Sequence, residues 1–168
     1  FTVGQPFGPL NDDFIGVTAL LSLALAWMLY PSHHAFSPSL SRAALAIVPV
    51  GVVLVVVGSA LSILGIRGWY LSGLYMAAGN AMVGLWLVVW ISAAFRAGFL
   101  PRGLSILAII AGAVLALGLV TIPGIFRGLD TKEYELTVVN SIWWTSSIGH
   151  LAVFPVWCIL QGRIFATR

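Results

Sequence analysis

The chain has 168 residues and a formal net charge of +3, and 60% of its residues are hydrophobic while only 8% are charged. Soluble domains carry about 25% charged residues, and a nucleic-acid-binding surface needs clustered Lys and Arg, whereas the eight basic residues here stand singly. A soluble globular protein and a nucleic-acid partner are therefore excluded. Cys158 is the only cysteine, which excludes an internal disulfide and a CxxC redox or zinc site.

Five long uncharged stretches make up most of the sequence. A helix needs about 20 apolar residues to cross the hydrocarbon core of a membrane, and these runs are too continuous for barrel strands, which alternate. We therefore predict an all-α fold, a single polytopic integral membrane bundle of five transmembrane helices. The predicted helices are residues 12–30, 43–66, 69–95, 103–122 and 131–165. Because the sequence begins at Phe1, a cleaved signal peptide or a sixth helix before it are open alternatives.

The first helix is expected to open at Asn11–Asp13 and to end at Pro31. Asn and Asp side chains cap the free N–H groups of a helix start and suit the positive end of its dipole. A cation site made by these side chains is the alternative. Proline lacks the N–H that would continue the helix, so Pro31 predicts its end.

The second, third and fourth helices each carry a face of small residues. These faces comprise Ala44, Gly51, Gly58, Ser62 and Gly65, then Gly73, Ala77, Asn80 and Gly84, then Ala108, Gly112 and Ala116. Small residues allow the close backbone approach that holds helices together in lipid. We therefore interpret these faces as packing surfaces. Self-association, contact with other membrane subunits and a slot for a lipid or ligand are the alternatives.

The last two helices are bounded by turn and capping signals. Pro123–Gly124 is expected to end the fourth helix. Residues 130–133 have the spacing of a capping box, so the fifth helix is expected to begin near Thr131. It should be the longest helix, reaching past Gln161 and bending near Pro155.

Charge at the ends of the spans predicts the topology. With five spans, one side of the membrane carries Arg42, Arg96, Arg102, Arg163 and Arg168, and the other carries Arg67, Arg127 and Lys132. All five acidic residues fall on the side with fewer basic residues. Because basic residues in short loops favour the cytoplasm, we predict an outside N-terminus and a cytoplasmic C-terminus. The expected location is a bacterial inner membrane or plasma membrane.

A polar seam is predicted between the third and fifth helices. Asn80 lies at the depth of Ser147 and His150, and an amide in hydrocarbon needs a hydrogen-bonding partner. We therefore expect Asn80 to bond to the fifth helix, with a loss of about 1 kcal/mol in Asn80→Leu. The candidate ligand-binding residues are Asn80, Asn140, Trp143, Ser147, His150, Phe154 and Trp157. Cys158 and Gln161 share the same helical face.

The sequence shows no catalytic constellation and no predicted haem or metal site, and the cofactor, if any, is unknown. His33 and His34 lie too far from His150 to share a haem, and no carboxylate is expected inside a span. We interpret the chain as an accessory or structural membrane subunit, or as a binder of a lipid or quinone-like ligand at the seam. A small transporter or channel component with Asn80 and His150 along its path is the alternative. An intramembrane enzyme using Ser147 and His150 is a third hypothesis.

Overall fold

A computed structural model describes residues 7–35, 37–130 and 137–166, and this part of the chain is helical with no strand. The prediction of an all-α membrane bundle is confirmed. Helix α1 covers Phe7–His34, α2 covers Pro38–Ile63, α3 covers Trp69–Arg96 and α4 covers Arg102–Phe126. Helix α5 comprises an α-helix at Thr137–Ile148, a π-helical turn at Gly149–Val153 and an α-helix at Phe154–Ala166.

Four of the helices, α1 to α4, are long and apolar enough to cross a membrane. Their outward side chains are large and apolar, such as Met28, Val53 and Ile110, which are 77%, 60% and 50% exposed. Such side chains would be in contact with lipid, which is the arrangement expected of a membrane bundle. Helix α5 is interrupted by its π turn, and its role as a fifth span remains a prediction.

Helix α1 is longer at both ends than predicted. It begins at least as early as Phe7, so Asn11–Asp13 lie inside the helix and do not cap it. Pro31 also lies inside the helix, which continues to His34. Proline removes one hydrogen bond but is tolerated near the end of a membrane helix, and the Ala35 N–H still reaches the Pro31 carbonyl at 3.3 Å.

Helix α4 passes through Pro123–Gly124, where the sequence predicted its end. A 3₁₀ segment at Leu117–Thr121 tightens the helix, and a last α-helical turn at Ile122–Phe126 follows. Pro123 stands at the first or second position of that turn, where its missing N–H is not needed. The helix ends at Phe126 with Arg127 as its C-cap, and the following Gly128 adopts a φ of +62° that glycine tolerates.

The small-residue faces pack the centre of the bundle, with α3 between α2 and α4. A Cβ added to Gly51 would lie 2.6 Å from the carbonyl oxygen of Gly79, and one added to Gly112 would lie 2.7 Å from that of Gly84. These helices therefore touch backbone to backbone. The packing role of Gly51, Gly84 and Gly112 is confirmed, while Gly79 meets α2 from outside the predicted face of α3.

The chain order places the ends of the helices in two groups. We call the acidic end the one where α1, α3 and α5 begin and where α2 and α4 finish. There the Ser62 hydroxyl donates to Asp12, and the Gly68 N–H donates to Asp130 at 3.0 Å. The predicted start of α5 near Thr131 lies outside the described residues. The π turn just before Pro155 is the local irregularity where the sequence predicted a bend.

We expect Gly112→Ala to destabilise the bundle by about 1–3 kcal/mol, the usual cost of overpacking a tight contact. The added methyl group would meet the Gly84 carbonyl and the Val88 backbone, which cannot rotate away. Gly103→Ala in the same helix is the matched control, because nothing lies within 4 Å of the added carbon there. Thermal unfolding in detergent, followed by circular dichroism, measures both. Equal stability of the two variants would contradict the backbone contact.

Candidate ligand-binding groove between α1 and α5

Helices α1 and α5 leave a groove between them because each packs on a different neighbour. Helix α1 packs chiefly against α2, and α5 packs chiefly against α4. Among the described residues, two cavities lie in this groove, one of about 360 Å³ and the other of about 390 Å³. The first, which we call the polar cavity, also reaches α2 and α3, whereas the second, the apolar cavity, is lined by α1 and α5 alone.

The two cavities have different walls. The polar residues of the polar cavity include Asn11, Asp12, Ser62, Asn80, Ser147 and His150. The indoles of Trp69 and Trp144 also line it, and both side chains are about half exposed. The apolar cavity is lined by Thr18, Leu21, Ser22, Leu25, Phe154, Pro155, Cys158 and Ile159. Apolar side chains such as Ile15, Met76 and Leu151 also line the polar cavity, so the whole groove is mainly apolar, and its polar groups are concentrated towards the acidic end.

One face of each helix lines the groove. On α1 the lining positions run from Asn11 to Leu25, and on α5 they run from Trp144 to Ile159, as single residues or adjacent pairs that recur every three to four residues. These steps keep side chains on one side of a helix. At 1.5 Å per residue each wall is about 21 Å long, which is two thirds of a hydrocarbon core of roughly 30 Å.

Asn80 and His150 provide buried polar groups inside the polar cavity. Asn80 is 8% exposed and His150 is 6% exposed, so neither faces lipid, as predicted for Asn80. The predicted hydrogen bond is not found, because within the described residues no hydrogen bond joins Asn80 to α5. The polar cavity lies between α3 and α5 at the level of Asn80 and His150. Both side chains are therefore available to a molecule that occupies the cavity.

Asp12 places a carboxylate in the same cavity, although the sequence analysis predicted none inside a span. It lies within α1, and its Oδ2 accepts a hydrogen bond of 2.6 Å from the Ser62 hydroxyl. Asp12 was expected to cap the helix, so its inward direction was missed. The detectable signal was the spacing of Asn11, Thr18 and Ser22, which continues as a polar stripe along an otherwise apolar helix.

A π-helical turn positions His150. Pro155 lacks the N–H that would bond to the Leu151 carbonyl, and this missing bond accompanies the π turn at Gly149–Val153. Gly149 allows the turn to approach α4, since an added Cβ would lie 2.7 Å from Val114 Cγ1. Such insertions occur frequently at functional sites.

Phe154 and Trp157 belong to an aromatic core rather than to the polar cavity. The Trp157 ring lies 5.9 Å from that of Phe154 and 6.2 Å from that of Trp90. Phe154 also lines the apolar cavity, whereas Trp157 is completely buried. The side chains of Asn140 and Trp143 lie outside the described part of the structure, so their predicted role stays a prediction.

The polar cavity offers several hydrogen-bonding groups. In the described part of the chain, no three His, Cys, Asp or Glu side chains gather into a metal-binding group. The Asn80 amide both donates and accepts, imidazole does the same when neutral, and the Asp12 carboxylate accepts. These groups suit a ligand head that carries hydroxyl, carbonyl or amine groups.

We expect Asn80→Leu to leave the free energy of unfolding unchanged or higher, because the side chain makes no interhelical bond that would be lost. Thr121→Val provides the contrast, since the Thr121 hydroxyl bonds to the carbonyls of Leu74 at 3.1 Å and Gly118 at 2.7 Å. Its loss should cost about 1 kcal/mol. Thermal unfolding in detergent compares the two variants, and a larger loss in Asn80→Leu would show that Asn80 holds the helices together.

Comparison with other proteins supplies no family for this chain. No protein-family model, curated protein or solved structure matches it. The groove and the chemistry of its residues are therefore the basis on which a function can be proposed.

Proposed function

We propose that the protein binds one amphipathic membrane ligand, a lipid or a quinone-like molecule, in the groove between α1 and α5. The observation that supports this proposal is the order of the two cavities along the same faces of α1 and α5, since the first holds most of the polar groups of the groove and the second is lined mainly by apolar side chains. An amphipathic molecule has the same order of parts. Its head would occupy the polar cavity and its tail the apolar cavity.

The size of the groove supports a ligand with a short or single tail. Each cavity lies within the range of about 300–1,000 Å³ that is usual for small-molecule sites, and the two walls extend along about 21 Å of helix. Lipid-facing helices bury apolar surface only by packing on each other or on tails. A tail between Leu25 and Ile159 would fill the space that the divergence of α1 and α5 leaves open.

The head would be held by groups from α3 and α5. Asn80 on α3 and His150 on α5 are buried and have no hydrogen-bonding partner within the described residues. Buried polar groups are normally paired, so a ligand oxygen or nitrogen would supply the missing partner. Under the predicted topology, this head site would lie towards the outer face of the membrane.

We expect wild-type protein to retain one ligand molecule per chain when it is released from detergent micelles for native mass spectrometry. Thr18→Trp should reduce that occupancy at least tenfold, because the indole would fill the apolar cavity. Val17→Trp is the matched control, since Val17 is 51% exposed and lines neither cavity.

The mass and fragments of the released molecule would distinguish a lipid from a quinone. The binding proposal would fail if the wild type and both variants retained the same molecules to the same extent. It would also fail if no amphipathic molecule were retained or could be added back.

A second candidate function is the passage of a small uncharged molecule. It is favoured by unpaired polar atoms further along α5, because the Trp157 Nε1 and both polar atoms of the Gln161 side chain are buried without a partner among the described residues. Gln161 is only 2% exposed. Water or a small polar solute would satisfy these atoms, and they lie on the same helical face as His150.

If the protein conducts water or glycerol, vesicles that contain it should swell at least twofold faster than empty vesicles after an osmotic step. Gln161→Leu should abolish the difference, because it removes the buried polar groups from the path. Thr145→Val is the control, since the Thr145 hydroxyl is exposed and bonds within its own helix. Swelling at the same rate as empty vesicles would contradict the passage of water or glycerol, and ligand binding would remain the proposed function.

A further inference from the structure

The polar cavity carries a net negative charge. With histidine counted as neutral, Asp12 is the one lining residue of the polar cavity with a full charge. The carboxylate lies near the start of the apolar part of α1, which begins at Leu10. A charge near the membrane interface is less hydrated than in water, so its preference for an opposite charge is stronger there than in free solution.

The fold does not supply that opposite charge within the described residues. The recorded partner of Asp12 is the Ser62 hydroxyl, and no lysine or arginine pairs with it there. An ionised carboxylate can accept about four hydrogen bonds, so the single bond from Ser62 leaves most of its capacity for another group. Buried charges are normally paired, and Asp12 is partly buried.

Two indoles provide a further preference for a cation. Trp69 and Trp144 line the same cavity as Asp12, and they come from α3 and α5 respectively. The face of an indole attracts ammonium groups through its quadrupole, and aromatic side chains recognise quaternary ammonium ligands in this way. Asn80 and His150, buried deeper in the cavity, remain for neutral polar groups next to the head.

We infer that the ligand head is positively charged, an amine or quaternary ammonium group that binds between the Asp12 carboxylate and the indoles of Trp69 and Trp144. This inference rests on the proposed ligand-binding function and adds the class of head group. The ammonium could belong to a lipid or to a free amine, and the tail distinguishes these sources. A neutral quinone head would show no preference for the carboxylate.

Binding of tetradecyltrimethylammonium, tetradecanol and tetradecyl sulfate to the full chain in dodecyl maltoside tests the inference. Isothermal titration calorimetry would measure the affinities of these three amphiphiles, which share one tail length. We expect the ammonium compound to bind at least tenfold more tightly than the alcohol, and the sulfate to bind most weakly. Tetramethylammonium, which has no tail, should bind at least tenfold more weakly than the ammonium amphiphile.

Asp12→Asn should remove the preference for the ammonium compound and leave the affinity for tetradecanol unchanged. Asp13→Asn is the matched control, because Asp13 carries the same charge one residue away, is exposed and does not line the cavity. Ser62→Ala offers a second variant in case Asp12→Asn does not fold. It should reduce the preference several-fold, since it frees the carboxylate from the bond that orients it.

Three results would overturn the inference or its parts separately. Equal affinities for the ammonium compound and the alcohol would overturn the cationic head and leave ligand binding intact. The same effect of Asp12→Asn and Asp13→Asn would show that only the general surface charge matters. Absence of binding by all three amphiphiles would overturn the proposed function itself, whereas equal binding of tetramethylammonium would support the cation but exclude a tail as part of the site.

Discussion

The backbone contact between α2, α3 and α4 determines where the groove can form. At Gly51 and Gly79, and again at Gly84 and Gly112, the helices are so close that no side chain fits between them. This contact makes α3 the centre of the bundle, with 72% of its most apolar segment buried against 28% in α1. Helices α1 and α5 are then left to pack on the outer helices, α2 and α4. They cannot close on each other, and the space between them is the groove.

The packing of the helices determines which polar side chains find a bonding partner and which ones face the groove. In lipid a polar side chain without a partner is costly, and several Ser and Thr side chains of the described bundle bond to a nearby carbonyl. Thr121 bonds to α3 in this way, and Ser146 bonds to the Leu115 carbonyl at 3.2 Å. Asn80 and His150 differ because the cavity keeps them apart. Because both side chains line the polar cavity, a molecule in that cavity can reach them.

The sequence predicted the helical membrane bundle well because apolar length depends on each segment alone. It also located Asn80 and His150 on facing helices, since helical periodicity fixes which side of a helix a residue occupies. The ends predicted at Pro31 and Pro123 were wrong, because α1 continues to His34 and α4 continues past Pro123. Before Pro123, a 3₁₀ segment lets the Ile122 N–H bond to the Leu119 carbonyl that Pro123 leaves free. The inward direction of Asp12 was not predicted, for a related reason. Asp12 lies inside the helix because α1 extends back to Phe7, and composition alone does not reveal that extension.

The hydrogen bond between Ser62 and Asp12 connects α1, the least buried of the four apolar helices, to the candidate site. Ser62 on α2 holds the carboxylate that α1 presents to the cavity. A cation bound at Asp12 would share the carboxylate with Ser62, and it would also touch indoles of α3 and α5. Ligand binding would therefore connect α1 to the far side of the groove, where the fold itself makes few contacts. Because α1 makes few contacts with the far side of the groove, its position would depend on whether a ligand occupies the groove.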